Sequence, residues 1–185
     1  MTRLRAWVLA ARPPTLLAAV SPVLVGSGLA WGEDAFRWDV FVVTLAAAVL
    51  INVGVNFAND ASDARRGVDN ANRIGPPRAV ASGLISARRM WQGVAVGFGL
   101  AVAGGIYLTA IAGWVVVAIG LASLIAALGY TGGPIPYGYR GFGEAFVFVF
   151  FGLAATVGSR YVHDRTAPLD AWLLAIPIGM LVTAI

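Results

Sequence analysis

The chain has 185 residues, of which 59% are hydrophobic and 12% charged, with a mean hydropathy of +0.80. A soluble domain carries about 25% charged residues, so this composition indicates a helical membrane protein. It has no cysteine, which excludes disulfides and thiolate metal sites. All 13 basic residues are arginine, giving a net charge of +4, but they cluster at the edges of apolar runs, so membrane topology explains them better than nucleic acid does.

Six apolar stretches suit spans of roughly 20 residues, over 14–31, 39–59, 90–108, 113–130, 143–160 and 168–185. Ahead of the first, an amphipathic segment around Trp7 is expected on the membrane surface. A cleavable signal peptide over 1–30 is disfavoured by Pro13-Pro14 and by the further spans that follow. Trp31, Trp38, Trp91, Trp114 and Trp172 fall at span ends, where an interfacial aromatic belt belongs. Pro22 and Pro177 lie inside spans one and six, where neighbouring helices can cover the freed carbonyls. The whole of 1–185 reads as one transmembrane domain. With the N-terminus cytoplasmic, the inside segments hold Arg3, Arg5, Arg12, Arg65, Arg66, Arg73, Arg78, Arg88, Arg89 and Arg140. Only Arg37, Arg160 and Arg165 fall outside. The expectation is therefore a multi-pass cell-membrane protein with its polar loops cytoplasmic. The last stretch runs to Ile185 without a polar flank, which suggests a fragment of a longer protein or a covering partner.

The second span ends in the most informative segment, Asn56 to Asp69. Ionisable groups at membrane depth are costly and mark function by default. As a helix, Asn52, Asn56, Asp60 and Asp63 stand at i, i+4, i+8 and i+11, on one face. They sit near a helix C-terminus, whose partial negative charge repels carboxylates unless a cation compensates. Arg65, Arg66, Arg73 and Arg78 nearby suit an anionic ligand. Carboxylates beside arginines point to a divalent metal bridging the protein to a diphosphate. In this reading Asp60 and Asp63 hold the metal, Asp69 contributes less securely because Gly67 ends the helix before it, and Asn56 orients a ligand oxygen or water. The plainer alternative is a solvated helix end whose acids pair with Arg65 and Arg66. The loop 72–83 offers Arg73 and Arg78 to phosphate oxygens, with Ser82-Gly83 opening a short segment over the site; alternatively its arginines only set topology.

In the loop 130–144, Tyr130, Tyr137 and Tyr139 with Arg140 are suited to a planar acidic aromatic through stacking and ion pairing, though a plain helix connection explains them too. Glu144 suits a helix start. His163 has no second histidine to join it in a metal site. The phenylalanines at 146, 148, 150 and 151 suit helix packing, lipid contact or an isoprenoid groove alike.

These motifs resemble the UbiA-type intramembrane aromatic prenyltransferases, and within them the branch acting on 1,4-dihydroxy-2-naphthoate in menaquinone synthesis. The likeness rests on Ala11-Arg12-Pro13 with Thr15, Asn56 to Asp69, Arg73-Ile74-Gly75-Pro76 through Arg78, and Ser82-Gly83. Tyr130 to Pro134 and Tyr139-Arg140-Gly141 through Glu144 extend it over nearly the whole chain. The resemblance implies an all-α bundle of nine helices, of which about six are represented here. It implies Mg²⁺-dependent transfer of a polyprenyl group from polyprenyl diphosphate to an aromatic acid, with loss of the carboxylate, giving demethylmenaquinone. By position it assigns Asn56, Asp60 and Asp63 to catalysis and metal, Arg65, Arg66 and Arg78 to diphosphate, and Arg12, Tyr139 and Arg140 to the acceptor. The second aspartate-rich motif of the family has no counterpart, since Asp164 and Asp170 fall on the opposite side. The 185 residues alone are therefore expected to show little transferase activity. A CDP-alcohol phosphatidyltransferase is the nearest enzyme alternative, but Asp60-Ala61-Ser62-Asp63-Ala64-Arg65 lacks the rest of its signature. A transporter or assembly subunit is the non-enzymatic alternative and predicts no Mg²⁺-dependent diphosphate binding.

Overall fold

A computed structural model describes residues 2–67, 78–134 and 136–185. The predicted roles of Asp69 and Arg73, and the motif around Gly75, lie outside the described residues.

The chain begins with helix α1 (Arg3–Ala11), capped by the Thr2 hydroxyl, which accepts from the Arg5 N–H. Proline disfavours helical geometry in the residue before it, and Arg12, preceding Pro13, is left-handed at φ 52°. The chain bends there, passes through a 3₁₀ turn (Pro13–Leu16) and continues as α2 (Leu17–Gly32). Trp7 is not simply a surface anchor. Its ring meets Phe57 edge-on at 5.1 Å and ties α1 to the bundle.

Helix α3 (Trp38–Arg66) runs seven residues past the apolar stretch expected to end at 59, carrying the polar motif in helical form. Gly67, at φ 68°, ends it as predicted. Then follow α4 (Ala87–Ala112), α5 (Trp114–Thr131), a 3₁₀ turn (Tyr137–Arg140), and a continuous rod made of α6 (Gly143–Val147), a π-helical turn (Phe148–Ala154) and α7 (Ala155–Asp164). Helix α8 (Leu169–Thr183) closes the order. Among the described residues, five helical segments are long and apolar enough to cross a membrane. The sixth expected span is shorter than predicted, because regular helix starts only after Pro168 and stops at Thr183, giving 15 residues.

Small residues let these helices approach closely, as helices packed in lipid require. Helix α3 packs along α4, with Gly54 beneath the Phe98 ring and Gly97 against the Leu50 carbonyl. Gly152 of the π turn abuts Gly179 of α8. A Cβ on Gly26 of α2 would lie 2.2 Å from the Thr156 carbonyl oxygen and 2.9 Å from the Arg160 nitrogen, both backbone atoms of α7. Neither can step aside, so Gly26→Ala is expected to destabilise by about 1–3 kcal/mol, read as a lower melting temperature of the purified protein. Gly28→Ala, where a Cβ meets nothing within 4 Å, serves as the control.

The two ends of the bundle differ. At one, Arg160 is 2% exposed and donates to Glu33 and, at 2.7 Å, to Asp164, while Arg165 covers the Ile111 carbonyl at 2.8 Å. His163 lies there too, its Nδ1 accepting the Arg37 N–H at 3.1 Å. The other end gathers the bend at Arg12, the C-terminal turns of α3 and α5 and the 137–140 turn. The arginine-rich segments expected on one face therefore do meet at one end.

Candidate active site

The polar face of α3 is buried along its length: Asn52 is 5% exposed, Asn56 6%, Asp60 2% and Asp63 5%. A solvated helix end is thereby excluded. Each group is matched by a partner brought from elsewhere in the chain. The Asn56 amide nitrogen stands 3.0 Å from the Ala11 carbonyl, the Thr15 hydroxyl and the Asn52 side-chain oxygen, and the Asn52 amide donates to the Thr15 carbonyl at 3.2 Å. These contacts fix the bend after α1 against α3.

The two carboxylates do different work. Asp60 turns both oxygens to backbone, accepting the Ala79 N–H at 3.0 Å and the Val80 N–H at 2.9 Å. It thereby clamps the 78–83 turn onto α3. Asp63 accepts from the Arg78 guanidinium at 2.5 Å and from the Tyr139 hydroxyl. The repulsion expected between two acids at a helix C-terminus is thus relieved by an arginine 15 residues on, not by Arg65 or Arg66 of the same helix. Arg66 instead donates to the Gly133 carbonyl at 2.8 Å and lies over the Tyr139 ring, and Arg65 is exposed.

One turn back along α3, a cavity of about 420 Å³ opens within the bundle. Its polar end holds Arg12, Thr15, Asn56 and Asn59; most of the remaining wall is apolar, drawn from α2, α3, α5, α8 and the 143–164 rod. One flank is aromatic: Tyr130 meets Tyr137 edge-on at 5.5 Å, Tyr137 stacks on Phe146 at 3.8 Å, and Phe146 stacks on Phe150 at 6.0 Å. Burial, with a smaller contribution from Tyr130, pushes the Tyr137 phenol up to about 12. It stays protonated at neutral pH and donates to the Ala126 carbonyl at 2.6 Å. The π turn widens the rod where Phe150, Phe151 and Ala154 line this space, as such turns do at functional sites.

Of the residues predicted from sequence, Arg12 and Asn56 line the cavity. Asp60, Asp63, Arg78, Arg66 and Tyr139 form the adjoining cluster, and Arg65 and Arg140 are exposed beside it. Asn59 was missed. It lines the cavity and accepts from the buried Thr131 hydroxyl at 2.7 Å. Its signal was an amide three residues after Asn56, on the flank of the same face.

Among the described residues no group of three or more histidine, cysteine or acidic side chains converges on a metal position. Mg²⁺ that arrives with phosphates needs only one or two protein carboxylates, with water and phosphate oxygens completing its shell. The hard oxygens of Asp60 and Asp63, one turn apart at a buried site beside Arg78, fit that kind of donor set.

Comparison with known proteins agrees with this architecture. Residues 19–185 match the model of the UbiA prenyltransferase family. A protein of Mycobacterium tuberculosis named 1,4-dihydroxy-2-naphthoate octaprenyltransferase is 41% identical over 175 residues, covering 95% of this chain and 60% of its own length. Proteins of the same name from Mycobacterium leprae and Escherichia coli are 38% and 36% identical, covering 97% and 100% of this chain and 60% and 62% of theirs. The chain thus spans about 60% of the length of the curated relatives it matches.

Proposed function

Because the chain belongs to the UbiA prenyltransferase family, we propose that its cavity and acidic cluster serve transfer of a polyprenyl group from polyprenyl diphosphate to 1,4-dihydroxy-2-naphthoate in menaquinone synthesis. The observation that carries this reading is the direct succession of a buried Asp60–Asp63–Arg78 cluster and a polar-to-apolar cavity along one helix face. An amphiphile with a diphosphate head and an isoprenoid tail matches that gradient. The names of the relatives support the naphthoate acceptor.

The apolar walls take the prenyl chain and exclude water, so charges at the cluster act in a low-dielectric setting. Arg78 and Arg66 hold the diphosphate oxygens, and the same role is proposed for Arg73 from its place in the sequence motif. Asp63, with Asp60 and Asp69, would hold Mg²⁺, which would supply positive charge to the leaving diphosphate. As the carbon–oxygen bond to diphosphate breaks, the allylic carbon becomes electron-poor, and the Tyr130, Tyr137 and Phe146 rings present π density to it. Arg12, with Tyr139 and Arg140 at the rim, meets the acceptor's carboxylate. The ring carbon forms the new carbon–carbon bond and the carboxyl group departs as carbon dioxide. The arginine-rich end, and with it the N-terminus, faces the cytoplasm of a cell-membrane protein.

Labelled polyprenyl diphosphate is expected to bind the purified protein only with a divalent cation and to be displaced by unlabelled compound. Metal-independent binding, or none, overturns the reading. Gly120 lines the cavity, and a Cβ there meets nothing within 4 Å. Gly120→Phe is expected to fill the space and cut binding at least tenfold, with an unchanged melting temperature.

A further inference from the structure

A second groove lies on the outside of the bundle, between α1, α3 and α4, and belongs to no part of the cavity described above. Trp7, Leu50, Val53, Gly93 and Val96 form its apolar surface, and Arg89 stands at one end. Gly93 lets the Trp7 ring, which forms one wall of the groove, pack close against α4: a Cβ there would meet that ring at 2.9 Å. Arg89 lies in the first turns of α4, at the arginine-rich end of the bundle, with exposed Trp91 two residues on. Leu50, Val53 and Val96 continue from it along two membrane-spanning helices. The groove therefore runs from interface depth into hydrocarbon depth, with its charge at the interface.

No acidic side chain is among the described residues lining the groove, and Arg89 has no ion pair or hydrogen bond among the described residues. Arg5 and Arg88, adjacent in sequence to this site and both exposed, add charge of the same sign. We propose that this groove is a binding site for one anionic glycerophospholipid, its acyl chain lying over Gly93 and Val96 and its phosphate meeting Arg89. A zwitterionic lipid fills the apolar part equally well. It carries its own ammonium, so it forgoes the net attraction to a cluster of unneutralised arginines.

The test is native mass spectrometry of the full protein released from detergent, titrated with phosphatidylglycerol or with phosphatidylcholine of the same acyl chains. One phosphatidylglycerol is expected to be retained in preference. Arg89→Gln should lower its retention about fivefold, the factor corresponding to the ~1 kcal/mol that a basic residue contributes near an anionic surface. Arg65→Gln, which removes the same charge from the same end outside the groove, should leave retention unchanged. Val96→Trp, built from a side chain 62% exposed, should fill the groove and lower retention of both lipids. Equal retention of the two lipids by the unsubstituted protein overturns the proposal. So does an equal loss from Arg65→Gln and Arg89→Gln, or retention that Val96→Trp does not change.

Discussion

Asp60→Ala is expected to lower the melting temperature of the purified protein sharply even in metal-free buffer, and to abolish diphosphate binding. The Asp60 carboxylate is 2% exposed and satisfies two backbone N–H groups, those of Ala79 and Val80. Ala79 is itself fully buried, so water cannot replace the lost acceptor there. Leaving a buried donor unsatisfied costs about 1–3 kcal/mol, and two such groups place the loss on the order of 3 kcal/mol. The turn they anchor starts at Arg78, so the same change misplaces a residue assigned to the phosphate. Asp60→Asn keeps one acceptor oxygen but turns an amide N–H₂ toward the other donor, and should recover about half the stability. The measurement is thermal unfolding in chelator, followed by binding with Mg²⁺. An Asp60 that acted through a metal alone would leave the metal-free melting temperature where it was. That outcome would show the two backbone contacts to be without consequence.

The membrane class and helix order were legible because an apolar run near 20 residues long is a signal that tertiary packing does not overwrite. The Asn52–Asp63 face was legible for a related reason: helical period alone places those four side chains in line, and α3 keeps that period to Arg66. The bend at Arg12 was not anticipated: the rule about residues before proline explains why α1 ends there, but not the left-handed conformation it adopts. What satisfies the acids was not legible. Asp63 takes its partners from Arg78 and from Tyr139, 76 residues away, and no local pattern encodes a contact of that separation. Nor does an aspartate's identity announce that its oxygens will accept the N–H groups of Ala79 and Val80. Asn59 was overlooked because it stands off the centre of the polar stripe, where only the position of α5 and its Thr131 gives it a role. The π turn at Phe148–Ala154 has no periodic signature. It widens a rod whose apolar residues are equally compatible with regular α-helix.

The second large effect concerns the pair Asp63–Arg78, whose side chains are 7% and 10% exposed and 2.5 Å apart. Removing one member of a buried pair takes from the other a charge partner at 2.5 Å and typically costs about 3–5 kcal/mol, so Arg78→Ala and Asp63→Ala are each expected to be strongly destabilising. The double variant should be less unstable than the sum of the two, because each single variant already loses the one interaction between them. Ligand binding separates the two roles that stability alone confounds. On the proposed function, Arg78 and a divalent cation compete for the same Asp63 oxygens, while Arg78 and the cation both attract diphosphate. Arg78→Ala is therefore expected to tighten Mn²⁺ binding in the absence of diphosphate, measured by electron paramagnetic resonance as loss of the free-ion signal. The same variant should weaken cation-dependent diphosphate binding at least tenfold, and Arg78→Lys should fall between, since a lysine keeps the charge and loses the planar fork. Asp63→Ala should weaken both. If Arg78→Ala left both affinities unchanged, the arginine would be only a counter-charge holding the turn in place. Opposite signs for metal and diphosphate are the result expected where Arg78 competes with the cation for Asp63 and itself contacts the phosphate.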